Sequence, residues 1–110
     1  MIWEPKDGDI TAWSESATFG PFTLAIFDVG KVGPFGPCKE RPQWAVMQTG
    51  SVETRFSHQV VGRGHTWGDL ELAKRNAISG VRSVLREYKR TTVKGSEARE
   101  AILEMMGDLA

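Results

Sequence analysis

Apolar residues near the start of the chain are spaced as in β-strands. The segment 10–16 is rich in Thr, Trp and Ile, which favours a strand. A break at Gly20-Pro21 separates it from the segment 22–27, in which Phe, Leu and Ile alternate with Thr, Ala and Phe. Because both of these sets are largely apolar, the second strand is expected to be central in a sheet, buried on one face and partly covered on the other.

A β-hairpin is predicted in the middle of the chain. Residues 44–49 form its first strand, and Gly50-Ser51 follows with glycine at the first central position, the preference of a type II′ turn. In the segment 52–60, Val, Thr, Phe, His and Val alternate with Glu, Arg, Ser and Gln, which predicts a strand with one buried face and one solvent-exposed face. His58 falls on the buried face, where we interpret it as a hydrogen-bonded core histidine. The glycines from Gly62 onward are expected to end the strand.

Helical spacing dominates the last third of the chain. Thr66 is the expected N-cap of a long helix, with Asp69 three residues later. An apolar stripe then continues to about residues 88–91, formed by Leu70, Ala73, Ala77, Val81, Val84, Leu85 and Tyr88. A short second helix is predicted from Ser96, because apolar residues again recur on one side: Ala98, Ile102, Met105, Met106 and Leu109.

Between the strands, the segment 30–42 contains three glycines and three prolines, so we expect a long surface loop without regular structure. Together the elements predict an α+β fold: an antiparallel sheet of three or four strands, one long amphipathic helix packed on it, and a short C-terminal helix. Residues 1–95 are interpreted as a single domain. Residues 96–110 form a helix that is either docked on it or at a dimer interface, and we favour a homodimer because a small domain gains from extra burial.

Composition is that of an ordinary globular protein. Of the 110 residues, 40% are hydrophobic, and 14 basic residues balance 14 acidic ones. A near-neutral chain lacks the overall field that drives association with nucleic acids. The single cysteine, Cys38, excludes an internal disulfide and fits a reducing compartment. With neither a leader-like N-terminus nor an apolar run of about 18 residues, we expect a cytoplasmic protein, in the host cytoplasm if phage-encoded.

No arrangement of residues predicts catalysis or a metal site. Cys38, His58 and His65 lack the spacing of a zinc site, and only a Cys-His pair that meets in the fold stays open. The segment 62–68 has the pattern G-x-G-x-x-x-G instead of G-x-G-x-x-G, and no parallel βαβ unit surrounds it. We therefore expect no enzymatic activity and no cofactor.

The long helix carries the sharpest signal for a partner. At 100° per residue, five bases fall within about 100° of arc, opposite the apolar stripe: Arg75, Arg82, Arg86, Lys89 and Arg90. One interpretation is a solvated face, helped by cations near the helix C-terminus. The other is a contact for an acidic protein surface or a nucleic acid, since five bases without an interleaved acid exceed what solubility requires. Arg82 and Arg86 are both expected to face solvent.

The segment 30–42 supplies a second candidate site. Phe35 lies between glycines and prolines, and Lys39 and Arg41 follow it. An aromatic residue flanked by bases on a loop is a common design for contacting proteins, although a plain connection between hairpins is the alternative. Of the four tryptophans, Trp44 is expected in the core, whereas the role of Trp67 is left open.

Aromatic and glycine-containing segments follow one another in a fixed order: Trp3, Trp13, residues 20–24, Trp44 and residues 66–74. This series resembles a loose class of small, mostly uncharacterised bacterial and phage proteins, over roughly residues 3–80. The resemblance implies a small sheet-plus-helix domain in a phage or mobile-element setting, without shared catalytic residues. A strand, two glycines and a helix containing Ala73-Lys74 are also similar to the C-terminal half of a double-stranded-RNA-binding domain. Such domains place a lysine cluster at the helix start, where this chain has His, Thr, Trp, Gly and Asp.

These observations predict a non-catalytic binding protein. We expect a phage- or prophage-type accessory protein that binds and inhibits or modulates a host macromolecular complex, in the manner of a counter-defence inhibitor. The alternative is a direct nucleic-acid-binding module that uses the basic helix face. A hydrolase or transferase would need a constellation of residues that the sequence does not contain. A protein partner is therefore expected, a nucleic acid or a second copy stays open, and no membrane partner is expected.

Overall fold

The computed structural model describes residues 1–6, 8–49 and 58–109. Within them, the chain has the predicted α+β fold with two helices, and its antiparallel sheet has five strands instead of the predicted three or four. The elements in chain order are β1 (Glu4–Pro5), β2 (Glu15–Phe19), β3 (Phe22–Phe27), β4 (Val32–Gly33), β5 (Gly36–Pro37), β6 (Gln43–Thr49), β7 (His58–His65), α1 (Leu70–Thr91) and α2 (Glu97–Leu109). The sheet order is β1-β2-β3-β6-β7, and β4 pairs with β5 in a separate ribbon.

Strand β3 is central and buried on both faces, as its apolar pattern predicts. On one face, Leu24 and Ile26 pack in a cluster with Val46 of β6 and with the buried stripe of α1, formed by Ala73, Ala77, Val81 and Leu85. On the other face, Ala25 and Phe27 pack in a second cluster with Cys38, Ala45 and Met47. The sheet is therefore covered by the helices on one side and by the segment 30–42 on the other.

The strand predicted at residues 10–16 begins and ends too early, because β2 covers Glu15–Phe19. Asp9 directs the chain into a turn instead. Its carboxylate accepts hydrogen bonds from the backbone N–H and the hydroxyl of Thr11, at 2.9 and 2.5 Å, and its carbonyl accepts one from Ala12. A short acceptor side chain offers the backbone a local alternative to a ladder, which outweighs the strand preference of Thr and Ile.

The segment 30–42 is more regular than predicted, since it contains the β4–β5 ribbon. Gly36 has a φ of +100°, which lets the chain turn between the two short strands. The backbone N–H of Cys38 donates to the carbonyl of Lys31 at 2.8 Å, and the carbonyl of Cys38 accepts from Gly30 at 2.9 Å. These bonds hold the segment over the second cluster of the core.

Strands β6 and β7 pair antiparallel, but their register differs from the predicted hairpin. Thr49 lies opposite His58, whereas a two-residue turn at Gly50-Ser51 would place it opposite Val52. The predicted turn and most of the predicted second strand lie outside the described residues, and so does the side chain of His58.

A β-bulge changes which residues of β7 are buried. Val46 lies opposite Gly62 and Met47 lies opposite Val60, so Val61 is the extra residue. Val60, predicted on the buried face, is 48% exposed, and Val61 packs against the core instead. The strand also continues to His65, although the sequence predicts that it ends at Gly62.

The long helix α1 confirms the predicted stripe, but its N-cap is Asp69, not Thr66. The carboxylate of Asp69 accepts a hydrogen bond from the backbone N–H of Leu72 at 2.9 Å. Thr66 is fully buried: its N–H donates to the carbonyl of Pro42, and its hydroxyl accepts from Asn76 at 3.1 Å. Because β7 extends to His65 and Thr66 still bonds to the segment before β6, the helix can begin only later.

The short helix α2 begins after Ser96, whose hydroxyl accepts a hydrogen bond from the backbone N–H of Arg99. Ile102 is buried in the helix-side cluster, so the apolar stripe of α2 is docked within the same chain. The homodimer favoured from the sequence stays a prediction. Neither helix of the described segments combines the length and apolarity needed to cross a membrane.

Candidate partner-binding surface

Phe35 lies at the tip of the β4–β5 ribbon, is 45% exposed, and is held from two sides. Its ring stacks on the imidazole of His65, with the ring centroids 4.5 Å apart and the planes at 22°. The guanidinium carbon of Arg63 lies 4.5 Å from the centroid of the Phe35 ring, and its Nη1 donates to the carbonyl of Pro34 at 3.2 Å. The phenyl ring is therefore fixed in orientation while part of it faces solvent.

The buried amide of Gln43 fixes the ribbon that carries Phe35. Its Oε1 accepts a hydrogen bond from the backbone N–H of Phe35 at 3.0 Å, and its Nε2 donates to the carbonyl of Gly36 at 3.1 Å. A side chain at Gly33 would collide with the Gln43 amide. Because Gln43 belongs to β6, these contacts tie the tip of the ribbon to the sheet.

A second aromatic residue is exposed two positions after His65. Trp67 is 81% exposed, and the guanidinium carbon of Arg41 lies 3.6 Å from the centroid of its ring. Arg41 precedes β6 and Trp67 follows β7, so the pairing of Gln43 with His65 brings them together. Nη1 of Arg41 is buried and has no hydrogen-bond partner among the described residues. A cavity of about 260 Å³ adjoins this pair.

We call this surface the aromatic–basic cluster: Phe35, Lys39, Arg41, Arg63, His65 and Trp67. The sequence predicted the three members in the segment 30–42. The structure brings two of these, Phe35 and Arg41, together with the end of β7 and the residue after it. Arg63 and His65 were not predicted as members, since the glycines from Gly62 onward were expected to end the strand, and the role of Trp67 was left open. An alternation that places Arg63 and His65 on one face of a longer strand was the available signal.

The basic stripe of α1 is not one set of unpaired cations. Arg82 is half-buried, in contrast to the expected solvent exposure, and its Nη2 donates to the carbonyl of Leu109 at 2.9 Å. Arg90 pairs with Glu87, and the bonds from Arg90 hold the pKa of the Glu87 carboxyl below its usual value. Lys89 is half-buried, while Arg75 and Arg86 are exposed.

Lys74, which the similarity to double-stranded-RNA-binding domains singles out, is engaged within the chain. Its ammonium group forms ion pairs with Glu71 and Glu15, at 3.0 and 3.1 Å, and its side chain is only 14% exposed. The pKa of Lys74 is raised, and the largest cause is the hydrogen bond to Glu71. The contacts to Glu15 raise this pKa further, whereas burial lowers it. Lys74 thus joins α1 to β2, since Glu15 belongs to that strand.

An open groove of about 850 Å³ separates α1 from β7. We call it the β7 groove, and it is lined by Trp44, residues 59–65, Asn76, Ser79, Gly80, Ser83, Val84, Glu87 and Tyr88. One end is closed by the hydroxyl of Tyr88, which donates to Oε1 of Gln48 at 2.8 Å. The half-buried indole of Trp44 packs against the helix-side core, as predicted, and also forms part of the groove wall.

Cys38 does not have the environment of a nucleophile. It is 2% exposed, and its Sγ lies 3.7 Å from the carbonyl oxygen of Phe27, to which the thiol donates. Burial raises the pKa of the Cys38 thiol, so the neutral form dominates near pH 7. In the described part of the chain, no three His, Cys, Asp or Glu residues are grouped so that they could hold a metal ion.

No protein-family model matches this chain, and comparison with curated proteins and with solved structures gives no significant match. The resemblance to small phage and bacterial proteins therefore stays a prediction.

Proposed function

We propose that this protein is a non-catalytic protein-binding module that contacts an acidic surface of its partner through the aromatic–basic cluster. The observation that carries the proposal is the exposed indole of Trp67, with Arg41 at 3.6 Å, together with the ring of Phe35, which stacks on His65 two residues before Trp67. Trp and Arg dominate the energetics of protein interfaces. Side chains that are already ordered lose less entropy on binding, so these rings are suited to act as anchors.

The charges around the rings favour an acidic partner. Lys39, Arg41 and Arg63 are basic, and Glu40 is the acidic residue in this part of the surface. Complementary charges orient the partner during encounter and disfavour proteins that lack the matching charges. The rings contribute most of the affinity. The partner surface is therefore expected to combine carboxylates with a recess that accepts an aromatic ring.

An accessory role is part of the proposal. A binding module can act on a larger complex by covering one of its surfaces. The resemblance to small phage and bacterial proteins supports an inhibitor or modulator of a host complex. Occupation of an acidic regulatory surface by the aromatic–basic cluster would give such an effect without chemistry.

Affinity capture from a nuclease-treated bacterial lysate tests the protein-partner proposal. The wild type is compared with Phe35→Ala/Trp67→Ala and with the control Val93→Ala/Leu103→Ala, which changes exposed apolar residues outside the cluster. We expect the same protein to be captured by the wild type and by the control but lost with the cluster variant. Capture that depends on intact nucleic acid, or that survives the cluster variant, would contradict the proposal.

Direct nucleic-acid binding is the second candidate, favoured by the exposed and unpaired guanidinium groups of Arg75 and Arg86 among the described residues. A gel shift with duplex and single-stranded DNA tests it. Binding through these groups should weaken steeply with salt and disappear in Arg75→Glu/Arg86→Glu. Arg82 is not a suitable position for this test, because its contact with Leu109 makes a change there structural.

A further inference from the structure

In the part of the chain that the structure describes, β7 is an edge strand of the sheet, since no strand lies beyond it. The backbone N–H of Thr66 donates to the carbonyl of Pro42 across the ladder at 2.9 Å. Since successive residues of an antiparallel strand direct their N–H and C=O groups to alternate sides, Arg63 and His65 direct theirs away from β6. Such groups form a template for a further strand.

The β7 groove leaves room for that strand. Its helix wall carries small residues, Ser79, Gly80 and Ser83, and two glycines of β7 carry no side chain toward the helix. The indole of Trp44 and the side chain of Val84 supply apolar surface between the two walls. An incoming strand could therefore place every second side chain against apolar groups, as a half-buried strand does.

The rim of the groove is basic. Arg75 and Arg86 are exposed on α1 at helical positions next to the serines of the groove, whereas the guanidinium group of Arg63, on the strand side, lies against Phe35. The acidic residue of the lining, Glu87, is already paired with Arg90. Unneutralised positive charge at the rim favours carboxylates in whatever binds there.

We propose that the β7 groove binds an extended, acidic peptide segment of a partner protein, which pairs with the edge of β7 as an additional strand. The inference rests on the proposed function, because a protein partner must supply the segment, but it concerns a different surface from Trp67. The eight residues of β7 span about 26 Å, so a segment of about eight residues covers the edge. Alternate apolar side chains of that segment would face Trp44.

The test uses a labelled peptide of about ten residues in which Glu and Val alternate. Binding is measured by fluorescence anisotropy to two variants, Arg63→Ala and Arg63→Pro. Both lose the guanidinium group and its contact with Phe35, but only the proline variant loses the outward N–H. Proline is tolerated at an edge position of this kind. We expect the proline variant to bind about ten-fold more weakly than the alanine variant, because it loses one buried hydrogen bond to the peptide. Equal affinity overturns the proposal.

Amide hydrogen exchange of the wild type gives a readout that does not depend on the proline variant folding. The peptide should slow exchange at the N–H groups of Arg63 and His65, and unchanged exchange there would overturn the proposal. A peptide in which Lys and Val alternate should bind about ten-fold more weakly, and equal binding contradicts the acidic preference. Displacement of the Glu-Val peptide by oligothymidylate at comparable concentration would assign the rim to nucleic acid and overturn the proposal.

Trp67→Ala separates the groove from the cluster. This variant leaves the lining of the β7 groove unchanged, so it should bind the Glu-Val peptide like the wild type while failing to capture the partner. Loss of peptide binding in Trp67→Ala would contradict a groove that acts independently of Trp67.

Discussion

Gly80 of α1 and Trp44 of β6 pack so closely that the helix has no room for a side chain at this position. A Cβ atom at position 80 would lie 2.7 Å from Cη2 of Trp44, and one at position 64 would lie 2.6 Å from Nε1 of the same indole. Glycine in the middle of a helix costs about 1 kcal/mol relative to alanine. The close approach of α1 to the sheet at Trp44 is the reason that this cost is tolerated.

Gly80→Ala is expected to lower the free energy of unfolding by about 1 to 3 kcal/mol, because the added methyl group must displace the indole. Denaturant unfolding measures the change. The matched control is Gly107→Ala in α2, where a Cβ would meet nothing within 4 Å. That variant should raise the free energy of unfolding by up to about 1 kcal/mol. Equal effects of both substitutions would contradict the packing at Trp44.

Gln43→Leu tests the attachment of the β4–β5 ribbon to the sheet. The substitution removes the acceptor for the N–H of Phe35 and the donor for the carbonyl of Gly36. We expect a loss of about 1 to 3 kcal/mol in unfolding free energy, and faster amide exchange at Phe35 than in the wild type. Unchanged exchange at Phe35 would show that other contacts hold the ribbon.

The docking of α2 is tested by two neighbouring residues that differ in burial. Ile102 is 7% exposed and Leu103 is 42% exposed. Ile102→Ala should destabilise the protein by about 2 to 5 kcal/mol, since it leaves a cavity in the helix-side core. Leu103→Ala should change the free energy of unfolding by less than about 0.5 kcal/mol. A larger effect at Leu103 would indicate that the exposed side of α2 is buried elsewhere.

The same helix bears on the predicted homodimer. The apolar stripe that motivated a dimer finds burial within one chain, at Ile102, so α2 no longer requires a second copy. Light scattering of the full chain decides the question. A mass near 12.2 kDa at tens of micromolar, where weak homodimers form, would contradict the homodimer, and twice that mass would support it.

Cys38 is expected to resist thiol reagents in the folded protein. It is buried and its pKa is raised, so both access and the thiolate fraction are low. Labelling with Ellman's reagent at pH 8 should be much slower in buffer than in denaturant. Because the folded pKa lies above the unfolded value, this thiol's contribution to stability is complete below the unfolded value, near 9.0, and is lost as the pH rises through the folded pKa. Rapid labelling of the folded protein would contradict the burial.

Local patterns predicted the elements that depend on local spacing. The apolar residues of β3 and the stripe of α1 recur with the periods of a strand and a helix, and both elements are confirmed. The turn over residues 9–12 was not predicted, because a side-chain acceptor competes with the strand preference of the residues that follow Asp9. The bulge at Val61 was missed because the position of an extra residue depends on the opposing strand.

The candidate surface could be predicted only in part. Phe35 was found because an aromatic residue among glycines and prolines stands out within its own segment. Its contacts with Arg63 and His65 join positions far apart in the chain, and they exist only because β7 continues to His65. Conversely, the stripe on α1 was a true helical face, but the docking of α2 engages Arg82. Because of these tertiary contacts, the candidate binding surface that we favour lies at the end of the sheet and not on α1.

The affinity of the captured partner for two double variants tests the central claim most directly. By isothermal titration calorimetry, Phe35→Ala/Trp67→Ala is expected to bind at least about 100-fold more weakly than the wild type, since anchors of this kind contribute 2 kcal/mol or more each. Both rings are exposed, so the free energy of unfolding should change little. The control Val93→Ala/Leu103→Ala, which changes exposed apolar residues outside the cluster and the β7 groove, should bind within about three-fold of the wild type. The reverse order of the two affinities would contradict a binding surface centred on Trp67.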